Sequence, residues 1–308
     1  MRQAFVQALV DIASRDKRVV LLTGDLGFMV LEPFMKAFPG RFMNAGVAEQ
    51  NMVGTATGLA DSGYIPFVYS IVPFSVLRPF EFIRNGPIYH RLPVRIVGVG
   101  EGFDYGHNGF THFGLEDVGV MRMQPGITTI VPADSEQAGN AIRATYDLPG
   151  PVYYRLSKKD HLSLPNLQGR FQLGRANQIL EGKKVLVLTM GGIATEAFEA
   201  CKILAADGLS PAFSVISSFN PSPADDLARL LANCSHVCTV EEHYLNGGLG
   251  GWVAEVIAEK GLPCRLVRCG VSAVPSCATG SQEFLCKEHG LDRSGITARI
   301  LAALQGSN

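Results

Sequence analysis

At 308 residues, with 47 % hydrophobic and 18 % charged side chains, the chain is long enough for two domains that each bury a core. Its 27 basic and 28 acidic residues leave a net charge of -1 with no basic block, which argues against nucleic acid or an anionic membrane surface as a main partner. No apolar run approaches the ~20 residues of a bilayer span, and Met1-Arg2-Gln3-Ala4-Phe5 leads into an amphipathic helix rather than a secretory signal, so a soluble, cytoplasmic protein is expected.

Strand and helix signals alternate along the whole chain, the pattern of a parallel α/β sheet. In the first half, strands are expected at 19–23, 42–44, 66–69, 94–99, 128–131 and 152–155. Their low charge suggests sheets covered on both faces. Between them lie a small-residue helix at 50–60, an aromatic helix at 69–84 and a helix at 135–146 opened by Ser135 as N-cap. The longest aperiodic stretch, 100–115, holds five glycines; a loop of that length inside a domain is usually functional. A break at 158–182 reads as a linker followed by a short hairpin. The second half restarts at Val185-Leu186-Val187-Leu188, with further strands at 212–217, 237–241 and 265–269 and a last helix at 293–304. Two α/β domains follow, at 1–165 and 180–308.

The seven cysteines (Cys201, Cys234, Cys238, Cys264, Cys269, Cys277 and Cys286) all lie in the second half, odd in number and without a Cys-x-x-Cys pair, so reduced thiols are expected. Cys234, His236 and Cys238 suggest no metal site, because Ser235 to Val240 reads as a strand whose neighbours point to opposite faces.

Glu49 is the most informative residue. It stands where the strand at 41–45 turns into the helix at 50–60, in Asn44-Ala45-Gly46-Val47-Ala48-Glu49-Gln50. A carboxylate there lies at the carboxyl end of a parallel strand, where α/β sheets bind ligands. Downstream come Ser70-Ile71-Val72-Pro73-Phe74-Ser75-Val76-Leu77-Arg78-Pro79-Phe80 and Gly106-His107-Asn108-Gly109-Phe110-Thr111-His112. This ordered set resembles the pyrimidine-binding domain of the transketolase family, which uses thiamine diphosphate. Thr239-Val240-Glu241-Glu242-His243, followed by Gly247-Gly248-Leu249-Gly250-Gly251, is similar to that family's C-terminal domain. The glycine cluster then serves close helix–strand packing and intersubunit contact rather than a nucleotide.

The resemblance implies roles. Glu49 would hydrogen-bond the aminopyrimidine and promote loss of the thiazolium C2 proton. Phe74 would stack on the pyrimidine, with Ile71 and Leu77 as aliphatic walls where the family often has aromatics. Asp25 and Leu26, in Thr23-Gly24-Asp25-Leu26-Gly27, would face the thiazolium region. His112 would donate to the substrate oxygen or shuttle a proton. His107 and Asn108 replace two acids of the family loop and, with Lys158, would contact substrate. Met29 and Gly100 fall where transketolases place phosphate-gripping side chains, so weak selection for a phosphorylated acceptor is expected.

No Gly-Asp-Gly…Asn motif for Mg²⁺ and the diphosphate is visible, and no residue here is assigned to metal. The resemblance covers nearly the whole chain but only the second half of a full-length transketolase. It therefore implies the small subunit of a split enzyme, active with a larger partner that supplies the diphosphate and Mg²⁺ site, in an α2β2 heterotetramer acting on small sugars or aldehydes. A carboligase like 1-deoxyxylulose-phosphate synthase, a 2-oxo acid dehydrogenase β subunit and a non-catalytic scaffold stand as alternatives.

Overall fold

The computed structural model describes residues 1–232, 234–272 and 278–305; Cys277 lies outside them. Short β-branched and aromatic runs form β1 (Val19–Thr23), β2 (Phe42–Asn44), β3 (Ile65–Ile71), β4 (Arg95–Val99), β5 (Thr128–Ile130) and β6 (Val152–Leu156). These pair in parallel with one another. The second half supplies β7 (Ala176–Leu180), β8 (Lys184–Thr189), β9 (Ala212–Ile216), β10 (Ser218–Phe219), β11 (Cys234–Tyr244) and β12 (Arg265–Val271). One sheet has the order β10-β5-β6-β4-β3-β1-β2, the other β12-β11-β8-β9-β7.

The two sheets are therefore parallel with one antiparallel edge strand each, β10 on β5 and β7 on β9. The expected strand at 212–217 ends at Ile216, and after Ser217 the chain crosses to the first sheet as β10. The expected hairpin after the break does not form: β7 pairs with the distant β9. Nor is the break a loose linker, since Leu164 and Leu167 are buried in the second core. The Leu164 amide also donates to the Asp134 carboxylate (3.2 Å).

Two helices differ from the expected form. Asp134, not Ser135, caps the Ser135–Thr145 helix: its backbone is extended and its carboxylate accepts from the Gln137 amide at 2.8 Å. An anionic acceptor at that end also complements the helix dipole. The aromatic segment at 69–84 is not one helix. Tyr69, Ser70 and Ile71 finish β3, and two short helices follow, Val72–Val76 and Phe80–Ile83. Pro73 starts the first of these and Pro79 interrupts the run, because proline lacks the amide an interior turn requires.

The Arg2–Arg15 helix lays Phe5, Leu9 and Ile12 on one face of the first sheet, with the Phe5 ring stacked 5.5 Å from Tyr69. The Glu49–Asp61 helix packs Met52, Val53 and Ala56 on the other face against Val68 and Ile96. Each large apolar side chain contributes about 1.5–3 kcal/mol on full burial. The strands are less free of charge than the sequence suggests. Arg95 and Arg155 are fully buried, and Arg95 is satisfied by the carbonyls of Tyr146, Leu148 and Gly150.

β1 is flanked by β2 on one side and β3 on the other, so the chain reverses its direction of progress across the sheet there. Such a switch opens a crevice beyond the carboxyl ends of the strands.

Candidate active site

Every predicted site residue lies at or beyond the carboxyl end of a strand of the first sheet. Asp25 and Leu26 follow β1, Glu49 follows β2, and Ile71, Phe74 and Leu77 end or follow β3. His107, Asn108 and His112 lie on the loop after β4, and Lys158 follows β6.

Four side chains meet at the centre. Glu49, in the first turn of its helix, is only 3 % exposed, and both its oxygens accept from Nη1 of Arg78 at 3.1 Å. The Arg78 guanidinium carbon lies 3.8 Å from the centroid of the Phe74 ring. The His112 ring meets Phe74 edge-on at 5.1 Å, and its Nδ1 is 2.9 Å from the Thr111 hydroxyl. Partial burial, reinforced by the Arg78 charge, lowers the His112 pKa below its ordinary value. The imidazole is therefore neutral near pH 7.

The loop after β1 is tied to the loop after β2 by Asn44, a residue to which the motifs assign no role. Its side-chain oxygen accepts from the Asp25 and Gly46 amides at 3.1 and 3.0 Å, and its nitrogen donates to the Asp25 carboxylate at 2.8 Å. Asp25 is exposed and Leu26 half-buried, with the Leu26 carbonyl accepting from the Thr23 hydroxyl at 2.8 Å. A Cβ on Gly24 would stand 3.5 Å from Glu49 Oε1, so this loop runs close beside the carboxylate.

The remaining residues are placed less centrally. Ile71 is buried at the end of β3, whereas Leu77 is largely open. Lys158 stands with its ammonium 4.8 Å from the Tyr105 ring, itself 6.5 Å from His112. His107 and Asn108 are exposed on a short 3-10 turn of the same loop. Met29 is 88 % exposed, its amide donating to Glu32. Gly100 has φ +88°, and an added Cβ would collide with the Tyr105 ring. Tyr105 thus requires glycine there, a relation with no signature in the linear motif.

The β4 loop is held rigidly. Gly102 and Gly114 exchange backbone hydrogen bonds across its neck at 2.9 and 2.8 Å. Beneath it the buried Arg155 joins Asp117 (2.9 Å), Glu101 (3.0 Å) and the carbonyls of Gly114 and Glu242. Glu101 also accepts from the Gly192 amide (2.7 Å), and Glu242 accepts from the Phe103 amide, so the second unit braces the loop. Burial pushes Glu101 up to about 7 despite the neighbouring Arg155 charge. In the same way burial, then the nearby Asp104, pushes Glu242 up to about 8.

Chemically, the centre offers a buried carboxylate facing a planar, N–H-bearing group that lies on an aromatic ring. The guanidinium of Arg78 is that group, and its position gives the dimensions of the gap between Glu49 and Phe74: one flat layer with an N–H edge. The pyrimidine of thiamine diphosphate has that shape. Arg78 stands inside the aromatic segment, where the pattern of rings gives no sign of its contact with Glu49.

Residues 1–161 match the family model described as "Transketolase, pyrimidine binding domain", and residues 174–296 match "Transketolase, C-terminal domain". A "Putative transketolase C-terminal section" of Methanocaldococcus jannaschii is 35 % identical, covering 99 % of this chain and 96 % of the relative. One of the subunits of the apulose-4-phosphate transketolase of Actinobacillus succinogenes is 33 % identical over 88 % of each chain. Among solved structures, "Split gene transketolase, inactive beta4 tetramer" aligns with a TM-score of 0.86 and 34 % identity, covering 99 % of this chain and 97 % of that one. With both family models matched in order, with relatives matched over nearly their whole length and named as transketolase sections or subunits, and with Glu49, Phe74 and His112 gathered at the strand ends, the chain belongs to the transketolase family.

Proposed function

We propose that this chain binds the pyrimidine end of thiamine diphosphate while a larger partner, in an α2β2 assembly in the cytoplasm, binds the diphosphate and its Mg²⁺. Within the chain, 1–165 is the pyrimidine-binding domain and 180–308 the C-terminal domain. The observation that carries this reading is the buried Glu49 carboxylate at the strand ends, with a planar group already seated between it and Phe74.

When bound, the cofactor supplies the carbanion-stabilising chemistry by which a ketose donor loses two carbons and an aldehyde acceptor gains them. Glu49 holds a proton at its carboxyl oxygen against the pyrimidine edge, and burial keeps water from competing for that contact. Phe74 orients the ring, while Ile71 and Leu77 wall it. Asp25 and Leu26, on the loop pinned by Asn44, line the thiazolium side. His112 works as a neutral donor in the tautomer in which Nδ1 accepts from the Thr111 hydroxyl and Nε2 carries the proton for the substrate oxygen. Lys158, after β6, and His107 and Asn108, on the loop after β4, meet the distal part of the substrate.

The partner requirement is supported by the missing diphosphate motif and by a structural relative described as an inactive β4 tetramer. Calorimetry of the isolated chain against thiamine diphosphate and Mg²⁺ tests it. Weak heat without a partner and tight, Mg²⁺-dependent binding once the larger subunit is added are expected. Tight Mg²⁺-dependent binding by this chain alone would overturn the division of labour.

A further inference from the structure

We propose that Arg78 is an internal occupant of the pyrimidine seat, a latch that the cofactor must displace. The proposal rests on the reading of Glu49 and Phe74 as cofactor residues, and it assigns a function to a residue outside that reading.

Three features of the guanidinium define the seat. It lies 3.8 Å from the centroid of the Phe74 ring, at stacking distance. One of its nitrogens, Nη1, stands 3.1 Å from each Glu49 oxygen. It is planar and presents N–H groups along its edge. A pyrimidine stacked on the same face of Phe74 and hydrogen-bonded to Glu49 through its edge would claim the same volume. The two cannot be present together.

The two partners differ in freedom. Glu49 is fixed, buried in the first helical turn. Arg78 is 43 % exposed and sits between two short helices, after Leu77 and before Pro79. Its side-chain hydrogen bonds among the described residues all go to Glu49. Rotation about its side-chain torsions carries the guanidinium into solvent without disturbing the core. A half-exposed ion pair and a single cation–π contact are each weak, so the latch holds the seat without locking it. It also keeps the buried Glu49 charge partnered before the cofactor arrives, when an unpaired carboxylate would be costly.

Self-occupancy lowers apparent affinity by the fraction of time the seat is open. Removing Arg78 therefore tightens binding of the pyrimidine moiety by about tenfold. The probe is 4-amino-5-hydroxymethyl-2-methylpyrimidine, which needs neither diphosphate nor Mg²⁺. It is titrated into the full chain and followed by NMR of the His112 ring protons, a readout independent of turnover. Arg78→Ala is expected to bind about ten times more tightly than the unaltered chain. Arg78→Lys, which keeps the charge but cannot stack as a plane, should fall between them. In ligand-free chain, the His112 pKa should rise in Arg78→Ala and stay low in Arg78→Lys, since burial and the Arg78 charge both depress it. That titration also verifies that each variant is folded.

Equal or weaker binding by Arg78→Ala would overturn the latch, because Arg78 would then hold the ring rather than compete with it. Absence of binding by both proteins would overturn it equally, since an opened seat must bind. Glu49→Gln and Phe74→Ala in the Arg78→Ala background separate the two levels of argument. If Arg78→Ala fails to tighten binding while Glu49→Gln and Phe74→Ala still weaken it, the latch falls and the cofactor reading stands. If neither second substitution matters, the ring binds elsewhere and both fail.

Discussion

Carboxylates stand at the carboxyl ends of parallel strands in both halves of the molecule, and they do opposite work. In the first sheet, Glu49 is buried but partnered by a half-exposed arginine that is free to swing away. In the second, β11 carries Glu241, Glu242 and His243 just before its last residue, all at most 1 % exposed and committed to fixed partners. Glu241 accepts from the Leu249 and Gly250 amides at 2.7 and 2.8 Å, capping the Leu249–Lys260 helix. Glu242 receives Phe103 and Gln282, and His243 Nε2 accepts from the Gly119 amide at 3.2 Å. Burial at a strand end is common to both. What separates a site from a structural joint is whether the carboxylate's partner can leave.

The sharpest test of that contrast is Glu49→Gln in the reconstituted complex. The amide keeps the shape but not the acid–base function, so thiazolium C2 proton–deuterium exchange should slow by about 10²–10⁴-fold with folding intact. Unchanged exchange would remove Glu49 from its role and erase the difference between the two halves. The matching substitution in the second half should do the reverse. Glu241→Ala strips two buried amides of their acceptor and should cost about 2–4 kcal/mol in denaturant unfolding. Activity per folded molecule should change little.

A smaller effect is expected from pH. Glu242 and Glu101 have folded-state pKa values of about 8 and 7, above the ordinary 4.5, mainly through burial. Such groups bind more protons folded than unfolded, so their stabilisation is complete below about 4.5 and is lost as pH rises through 7–8. The Tm should fall between about pH 4.5 and 8. Glu242→Gln, which resembles the protonated acid, should flatten part of that fall by about 3–5 °C. A fall as steep as in the unaltered chain would place the titration elsewhere.

The smallest effect concerns the acceptor. Met29 points into solvent, Gly100 is filled over by Tyr105, and Asn108 is neutral. Matched aldehydes with and without a terminal phosphate should therefore differ in kcat/KM by less than about tenfold, because a site without fixed polar partners discriminates weakly. A preference of several orders of magnitude would mean that Lys158 and the partner subunit build a phosphate site.

Glu49, Phe74 and His112 were singled out by their place in motifs that resemble the family's, and the structure brings these three side chains into one cluster with Arg78. Arg78 and Asn44 were harder. Each acts through a neighbour on another strand's loop, Arg78 across 29 residues and Asn44 across 19. Tyr105 was concealed for a similar reason, since its effect is written as a glycine at position 100. The helix boundaries at Ser135 and at 69–84 were decided by competition between adjacent residues for one cap and by two prolines inside an aromatic run.

By itself the sequence determined the alternation of strands and helices, the two-unit organisation and the residue types gathered at the first sheet's strand ends. Those properties depend on local periodicity and on side chains acting where they stand. Only the tertiary structure decided which charges face each other. The crossover of β10 onto the first sheet, the bracing of the β4 loop by Glu242 and the seating of Arg78 between Glu49 and Phe74 join residues distant in the chain. Long-range contacts of this kind are selected by packing and by the cost of leaving a buried polar group unpaired, quantities that no local pattern contains.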